Sequence, residues 1–300
     1  LEDQAGKYNI KAVSKLLGIH PGTLRAWERR YQLIQPVRND AGHRLYTDEQ
    51  LKVLKWIINK VDNGFTISQA VELLDKHDYQ EVMEEETANY NQIGKLKKDL
   101  LSSLLKFNET KSNELLDQAF GVFSTEKVVI NILGGILADV GDKWEKKEIT
   151  TAHEHFVTSF LRTKIGMVFH NLPVNGLLPK VICVCGPEER HEIGLLIFTF
   201  FLKRRGYETI YLGSGIPEDD VFLVVNEVEP KMIIISCTMS EYLKNTMQLA
   251  ENLHNDFSYL SVGVGGHAIK GLYSTDDLKY NSFFVGDSEE EWTKWLKEKL

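Results

Sequence analysis

Five short apolar runs, rich in β-branched residues, punctuate residues 180–286: KVICVCG, ETIYLG, KMIIISC, LSVGVGG and SFFVG. Helix-length stretches separate them. Strand and helix alternating in this way predict a parallel sheet wrapped by helices on both faces. Five runs predict five strands, in a flavodoxin- or Rossmann-like order. On such sheets ligands bind beyond the carboxyl ends of the strands. The residues just after each run are therefore the candidate site residues.

Two other kinds of pattern precede the sheet. Residues 85–172 contain no proline, and LKKDLLSSLLKF, SNELLDQAFGVF, EKVVINILGGILADVGDKW and TAHEHFVTSFLRTKIGMVF read as four long apolar-striped helices, the count of a bundle. The first part reads as a short helix stopped by Gly18, then a second helix with Pro21 in its first turn. A turn-rich loop ending in HRLY follows. Two capping boxes, Thr47 with Gln50 and Thr66 with Gln69, open two further helices. The expected domains are 1–77, 85–173 and 179–300, giving a multidomain chain of α and α/β parts.

Charge is unevenly spread. The net charge is −8, but residues 1–77 hold 12 Lys and Arg against 9 Asp and Glu, while the remainder holds 23 against 34. An acidic whole with a basic end excludes a general polyanion binder and leaves room for a small DNA-reading module. Cys183, Cys185 and Cys237 lie in strand-like runs, too scattered for zinc, and are expected as buried thiols. No run of 18 apolar residues and no signal-peptide core appear, so a cytoplasmic chain without membrane contact is expected.

The first part has the pattern of a winged helix-turn-helix. TLRAWERRYQL places Leu24 and Trp27 on a buried stripe and Thr23, Arg25, Arg29 and Arg30 outside it, where guanidinium reaches phosphates or guanine edges. The wing, residues 38–46, offers His43, Arg44 and Tyr46 to flanking phosphates. Taken singly these arginines read as a solvated helix face; the ordered combination is more specific. TLRAWERRYQLIQPVRNDAGHRLYT resembles the MerR family of bacterial transcription regulators. That resemblance implies operator DNA in the major groove and binding by more than one copy.

At the sheet, GPEERHEIG follows the first run and holds Glu189, Arg190, His191 and Gly194. Ser236 and Thr238 follow the third run, and Gly265 and Gly266 the fourth. The His191 imidazole could offer one nitrogen to a metal while Glu189 accepts the other N–H and fixes the tautomer. Singly these are a surface histidine, a loop hydroxyl pair and a turn. Together they resemble the cobalamin-binding pattern D-x-H-x-x-G, S-x-T, GG, with Glu189 in place of Asp. The resemblance makes His191 the lower axial cobalt ligand.

WEKKEITTAHEH, residues 144–155, fits W-x9-E-H through Trp144, Glu154 and His155. Glu154 also reads as the partner of Thr151 in a capping box, and Trp144 as bundle core. In the order head, bundle, sheet, the chain resembles the CarH/LitR photoreceptor repressors. That family implies adenosylcobalamin as chromophore, a dark homo-oligomer expected as a tetramer on double-stranded operator DNA, and disassembly on photolysis. It implies no enzyme. Trp144, Glu154 and His155 would line the upper cavity. Glu145 stands where some members carry a histidine after the tryptophan, which leaves the upper ligand after photolysis open. The alternatives are a MerR-type sensor of cobalamin or another tetrapyrrole without light function, and a corrinoid carrier subunit of a methyltransferase.

Overall fold

The computed structural model describes residues 6–32, 34–39, 41–62, 65–76, 79–169, 172, 175–271 and 282–299. The chain divides into two compact units, Leu1–Tyr90 and Asn91–Leu300.

The first unit contains β1 (Tyr8–Asn9), α1 (Ile10–Leu17), α2 (Pro21–Tyr31), β2 (Val37–Arg38), β3 (Arg44–Tyr46), α3 (Asp48–Asp62) and α4 (Ile67–Lys76). β3 pairs antiparallel with β1 on one side and β2 on the other, so the β2–β3 hairpin forms the wing. Both expected capping boxes form. The Gln50 side chain accepts from the Thr47 N–H, and Thr47 Oγ1 accepts from the Gln50 N–H; Gln69 and Thr66 do the same. Val13, Leu24, Trp27, Tyr46, Leu54 and Ile57 fill the core.

α5 (Tyr79–Leu104) leads into α6 (Glu109–Val122), α7 (Thr125–Lys127), α8 (Gly134–Glu145) and α9 (Thr151–Phe169). Between α7 and α8 the chain runs as a π-helix, Val128–Leu133, with the Gly134 N–H bonded five residues back to the Val129 carbonyl. Counting this continuous stretch as one, the four expected helices are present. The sheet part follows: β4 (Lys180–Cys185), α10 (Ile193–Arg204), β5 (Glu208–Gly213), α11 (Glu218–Val228), β6 (Met232–Ser236), α12 (Leu243–Asp256), β7 (Ser261–Gly265) and α13 (Glu289–Lys299). The strands are parallel in the order β5-β4-β6-β7. The fifth expected strand is not part of the ladder: SFFVG contributes a single parallel bridge, Phe284 to Val264. Its apolar residues still pack, since Phe283, Phe284 and Val285 are buried. Apolarity secures burial, but a ladder also needs a run of in-register backbone partners.

The order β4-β6-β7 puts the ends of the first, third and fourth runs side by side, as the motif reading requires. α10 holds the layers together. Ile193, Leu196, Ile197 and Phe200 enter the bundle core. Leu195, Phe198, Phe201 and Leu202 enter the core under the sheet. A helix apolar all round is a buried helix, and GLLIFTFF behaves as one. The three cysteines are free and buried. Among the described residues no helix is long and apolar enough to cross a membrane.

Phe200 is fully buried between α10 and the bundle. Its replacement by Ala should cost roughly 3–5 kcal/mol in denaturant unfolding of the second unit. A cost below about 1 kcal/mol would show that the α10–bundle core does not carry the unit.

Candidate cofactor site and DNA-reading head

The floor of the site is built on a buried carboxylate. Glu189 has no exposed surface. It accepts four hydrogen bonds: from His191 Nδ1 at 2.6 Å, the His191 N–H at 2.9 Å, the Thr238 N–H at 2.7 Å and the Met239 N–H at 2.9 Å. Burial alone would raise its pKa. The His191 side chain and the three N–H groups outweigh burial and hold the pKa at about 2. An ionised carboxylate only accepts, so Nδ1 carries a proton, and in the neutral ring Nε2 is left with its lone pair. The Glu189 hydrogen bond, opposed by burial, raises the imidazole's pKa, and the charge of Glu154 adds to the rise. The His191 side chain is 45% exposed.

Thr238 and Met239 tie the loop after β6 to Glu189. The glycines after β7 close on the same loop. Cys237 N–H donates to the Gly265 carbonyl at 2.9 Å, and Ala268 N–H donates to the Cys237 carbonyl at 3.2 Å. Gly266 has φ +111°, and a Cβ there would strike the Cys237 backbone, so only glycine fits. Gly194 and Gly265 differ: a Cβ at either would meet nothing within 4 Å. Both border open space beside His191's loop and its neighbouring strand end. Ser236 is buried at the end of β6, and Arg190 is exposed on the loop.

The bundle side is organised differently from the sequence expectation. The α9 cap is made by Thr150 and His153: His153 Nδ1 lies 2.7 Å from Thr150 Oγ1 and accepts from the Thr150 N–H at 3.3 Å. The helix thus begins one residue earlier than a Thr151–Glu154 box would place it. Thr151 Oγ1 instead accepts from the Trp144 indole N–H at 3.4 Å, anchoring a half-buried ring at the end of α8. Glu154 is free of the cap. Its side chain is 19% exposed and lies 3.5 Å from His155 Nε2. His155 is largely exposed, and Glu145 is exposed. His153 stacks on Phe107, with ring centroids 4.8 Å apart. Two residues missed by sequence reasoning complete the region: Arg162 Nη1 of α9 binds Glu192 Oε1 at 2.6 Å, next to His191. Thirty positions separate them, so no local pattern marks the pair.

In the head, Leu24 and Trp27 are buried while Arg25, Arg29 and Arg30 are exposed and Thr23 is half-buried. His43 is exposed at the wing tip. Arg44 is tied by its Nε to Glu28 Oε2 at 2.7 Å, joining wing to α2. Glu28 was also missed, although a carboxylate within an arginine-rich helix is a visible signal for such a tie. Tyr46 corrects an expectation. It faces the core, fully buried, and its hydroxyl has no surface to offer a phosphate. In β3 it points opposite to its neighbour Leu45, and the alternation of a strand sends one of them inward.

Folding lowers the Glu189 pKa from an ordinary 4.5 to about 2. A depressed folded value stabilises the fold above the ordinary pKa, and that contribution is lost as pH falls toward 2. The raised His191 value contributes constantly across this acid window. Urea unfolding of the cofactor-free protein from about pH 5 to about pH 3 should therefore show a steeper loss of stability for the parent than for E189Q. Parallel curves would contradict this.

Comparison with known proteins matches each part. The MerR HTH family regulatory protein model matches residues 8–77. Two models, each described as a B12 binding domain, match residues 96–168 and 179–288. The HTH-type transcriptional repressor CarH of Myxococcus xanthus is 28% identical over 295 residues, covering 96% of this chain and 97% of that one. The repressor CarA of the same organism is 24% identical over 259 residues, covering 86% and 85%. Among solved structures, the Methanosarcina barkeri monomethylamine corrinoid protein superposes with a TM-score of 0.56 at 16% identity. It covers 68% of this chain and 99% of that one, a likeness of fold. The chain thus has the CarH-type architecture: a MerR helix-turn-helix head followed by a two-part B12-binding module.

Proposed function

We propose that this chain is a light-responsive transcriptional repressor of the cytoplasm that uses adenosylcobalamin as its chromophore. In the dark its cofactor-loaded homo-oligomer, expected as a tetramer, holds double-stranded operator DNA. The observation that carries the reading is the His191–Glu189 pair, with Nδ1 held and the Nε2 lone pair available.

The residues fit a corrinoid. A cobalt ion takes a neutral imidazole nitrogen whose partner nitrogen is bonded to a carboxylate, and Glu189 supplies that carboxylate. The open space over Gly194 and Gly265 suits a bulky group lying close to backbone. Ser236, Thr238, Arg190 and Gly266 would border such a group from the end of β6 and the neighbouring loops. Trp144, Glu154 and His155 would line the upper side. Glu154 is a carboxylate without a capping task, and its charge already reaches His191. When bound, adenosylcobalamin supplies a cobalt–carbon bond that visible light breaks.

Regulation follows from linkage. A ligand shifts an equilibrium only through its preference for one state. Trp144, Glu154 and His155 would hold the adenosyl group on the upper side, and a ligand that lost that group would no longer favour the same assembly through them. Thr23, Arg25, Arg29 and Arg30 would read the operator, with His43 and Arg44 on the wing. Several heads on one assembly gain avidity through effective concentration, and separation removes it.

Two outcomes test the reading. Replacing His191 by Ala should weaken adenosylcobalamin retention by roughly tenfold or more and alter the bound spectrum; an unchanged spectrum and affinity would remove His191 as ligand. Dark protein loaded with adenosylcobalamin should elute from a sizing column as a larger species than the same sample after green light. Identical elution volumes would overturn the light-driven assembly.

A further inference from the structure

α10 joins bundle to sheet along its whole length, but its two ends are fastened differently. At the carboxyl end, Arg205 donates to Glu126 at 2.9 Å and to Glu289 at 3.0 Å, and its guanidinium lies 3.5 Å over the Phe201 ring. Those contacts bind α7, α10 and α13 at one point. At the amino end, beside His191, the polar joint is Arg162 with Glu192. Glu192 Oε1 takes Arg162; Oε2 accepts from the Ser214 N–H at 3.1 Å and the Ser214 hydroxyl at 3.2 Å. One carboxylate therefore clamps α9, the His191 loop and the loop after β5.

A planar group lying between α9 and His191, as the cobalamin reading requires, would have this clamp joining the two walls beside it. Glu154, Thr158 and Arg162 follow one another at steps of four along α9, on one stripe of the helix. Glu154 is within electrostatic reach of His191, and Arg162 holds the next residue, Glu192. The two polar fastenings are unequal. Arg205 is held by two carboxylates and a ring. The Arg162 side chain is 59% exposed against 12% for Glu192, so water can replace its single ion pair.

We infer that Arg162 and Glu192 form a strap that holds the bundle wall to the sheet wall beside His191, parting about the fixed Arg205 end and so setting how fast a corrinoid enters and leaves. This rests on the cobalamin reading. The strap acts on rates in both directions, not on the cobalt-binding contact itself.

The test measures dark uptake of adenosylcobalamin by stopped-flow absorbance and release of radiolabelled adenosylcobalamin into an unlabelled excess. R162Q, at an exposed position, and E192Q should each speed both processes by roughly threefold or more. The double variant should be no faster than either single one, because the two residues act as one unit. R162K should keep rates near the parent's. Added salt should speed the parent but not R162Q, since the pair is open to screening. If the parent takes up adenosylcobalamin and the variants share its rates, the strap is overturned. If the parent takes up none, the cobalamin reading beneath it fails.

Discussion

A buried negative charge needs donors, and Glu189 finds all of its donors on the loops after β4 and β6. That demand organises the site. The carboxylate draws the loop after β6 toward the loop after β4, turns the His191 ring and fixes its proton on Nδ1. Leaving such a carboxylate without partners would cost several kcal/mol. The loops are thus held by the same interaction that prepares the imidazole. Aspartate at this position would have one methylene less; glutamate spans the gap to Thr238 and Met239 while still reaching its own neighbour two residues on.

The charge pair would wander without a rigid frame. α10 provides it by burying opposite sides in two separate cores. His191 stands two residues before the first turn of this helix, so its backbone is positioned by a deeply packed segment of the second unit. Trp144 and Glu154 sit on different helices, and an indole hydrogen bond to Thr151 links the end of one to the start of the next.

Much of this was written locally and was therefore legible. Helix boundaries in the head follow from capping boxes whose partners lie three residues apart. The parallel sheet follows from runs and spacings, and the three motif-bearing strand ends meet because β4, β6 and β7 are neighbours. What failed depends on distant partners or on a competing local contact. SFFVG has the composition of a strand but meets its neighbour at one point. Glu154 looks like a cap residue until the competing Thr150–His153 pair is seen one position earlier. Tyr46 reads as a wing tyrosine, yet strand alternation turns it inward. Glu28 with Arg44, and Arg162 with Glu192, are long-range ion pairs that no window of sequence contains.

The π-helix at Val128–Leu133 lodges one surplus residue within a turn, as the five-residue hydrogen bond from Gly134 to Val129 records. Helical phase beyond it is preserved, because the bulge absorbs the addition locally. A chain one residue shorter at this place could therefore present the same face at Trp144. The same loss inside α8 would swing the indole by about 100° around the helix axis. The stretch can buffer a length change upstream of Trp144.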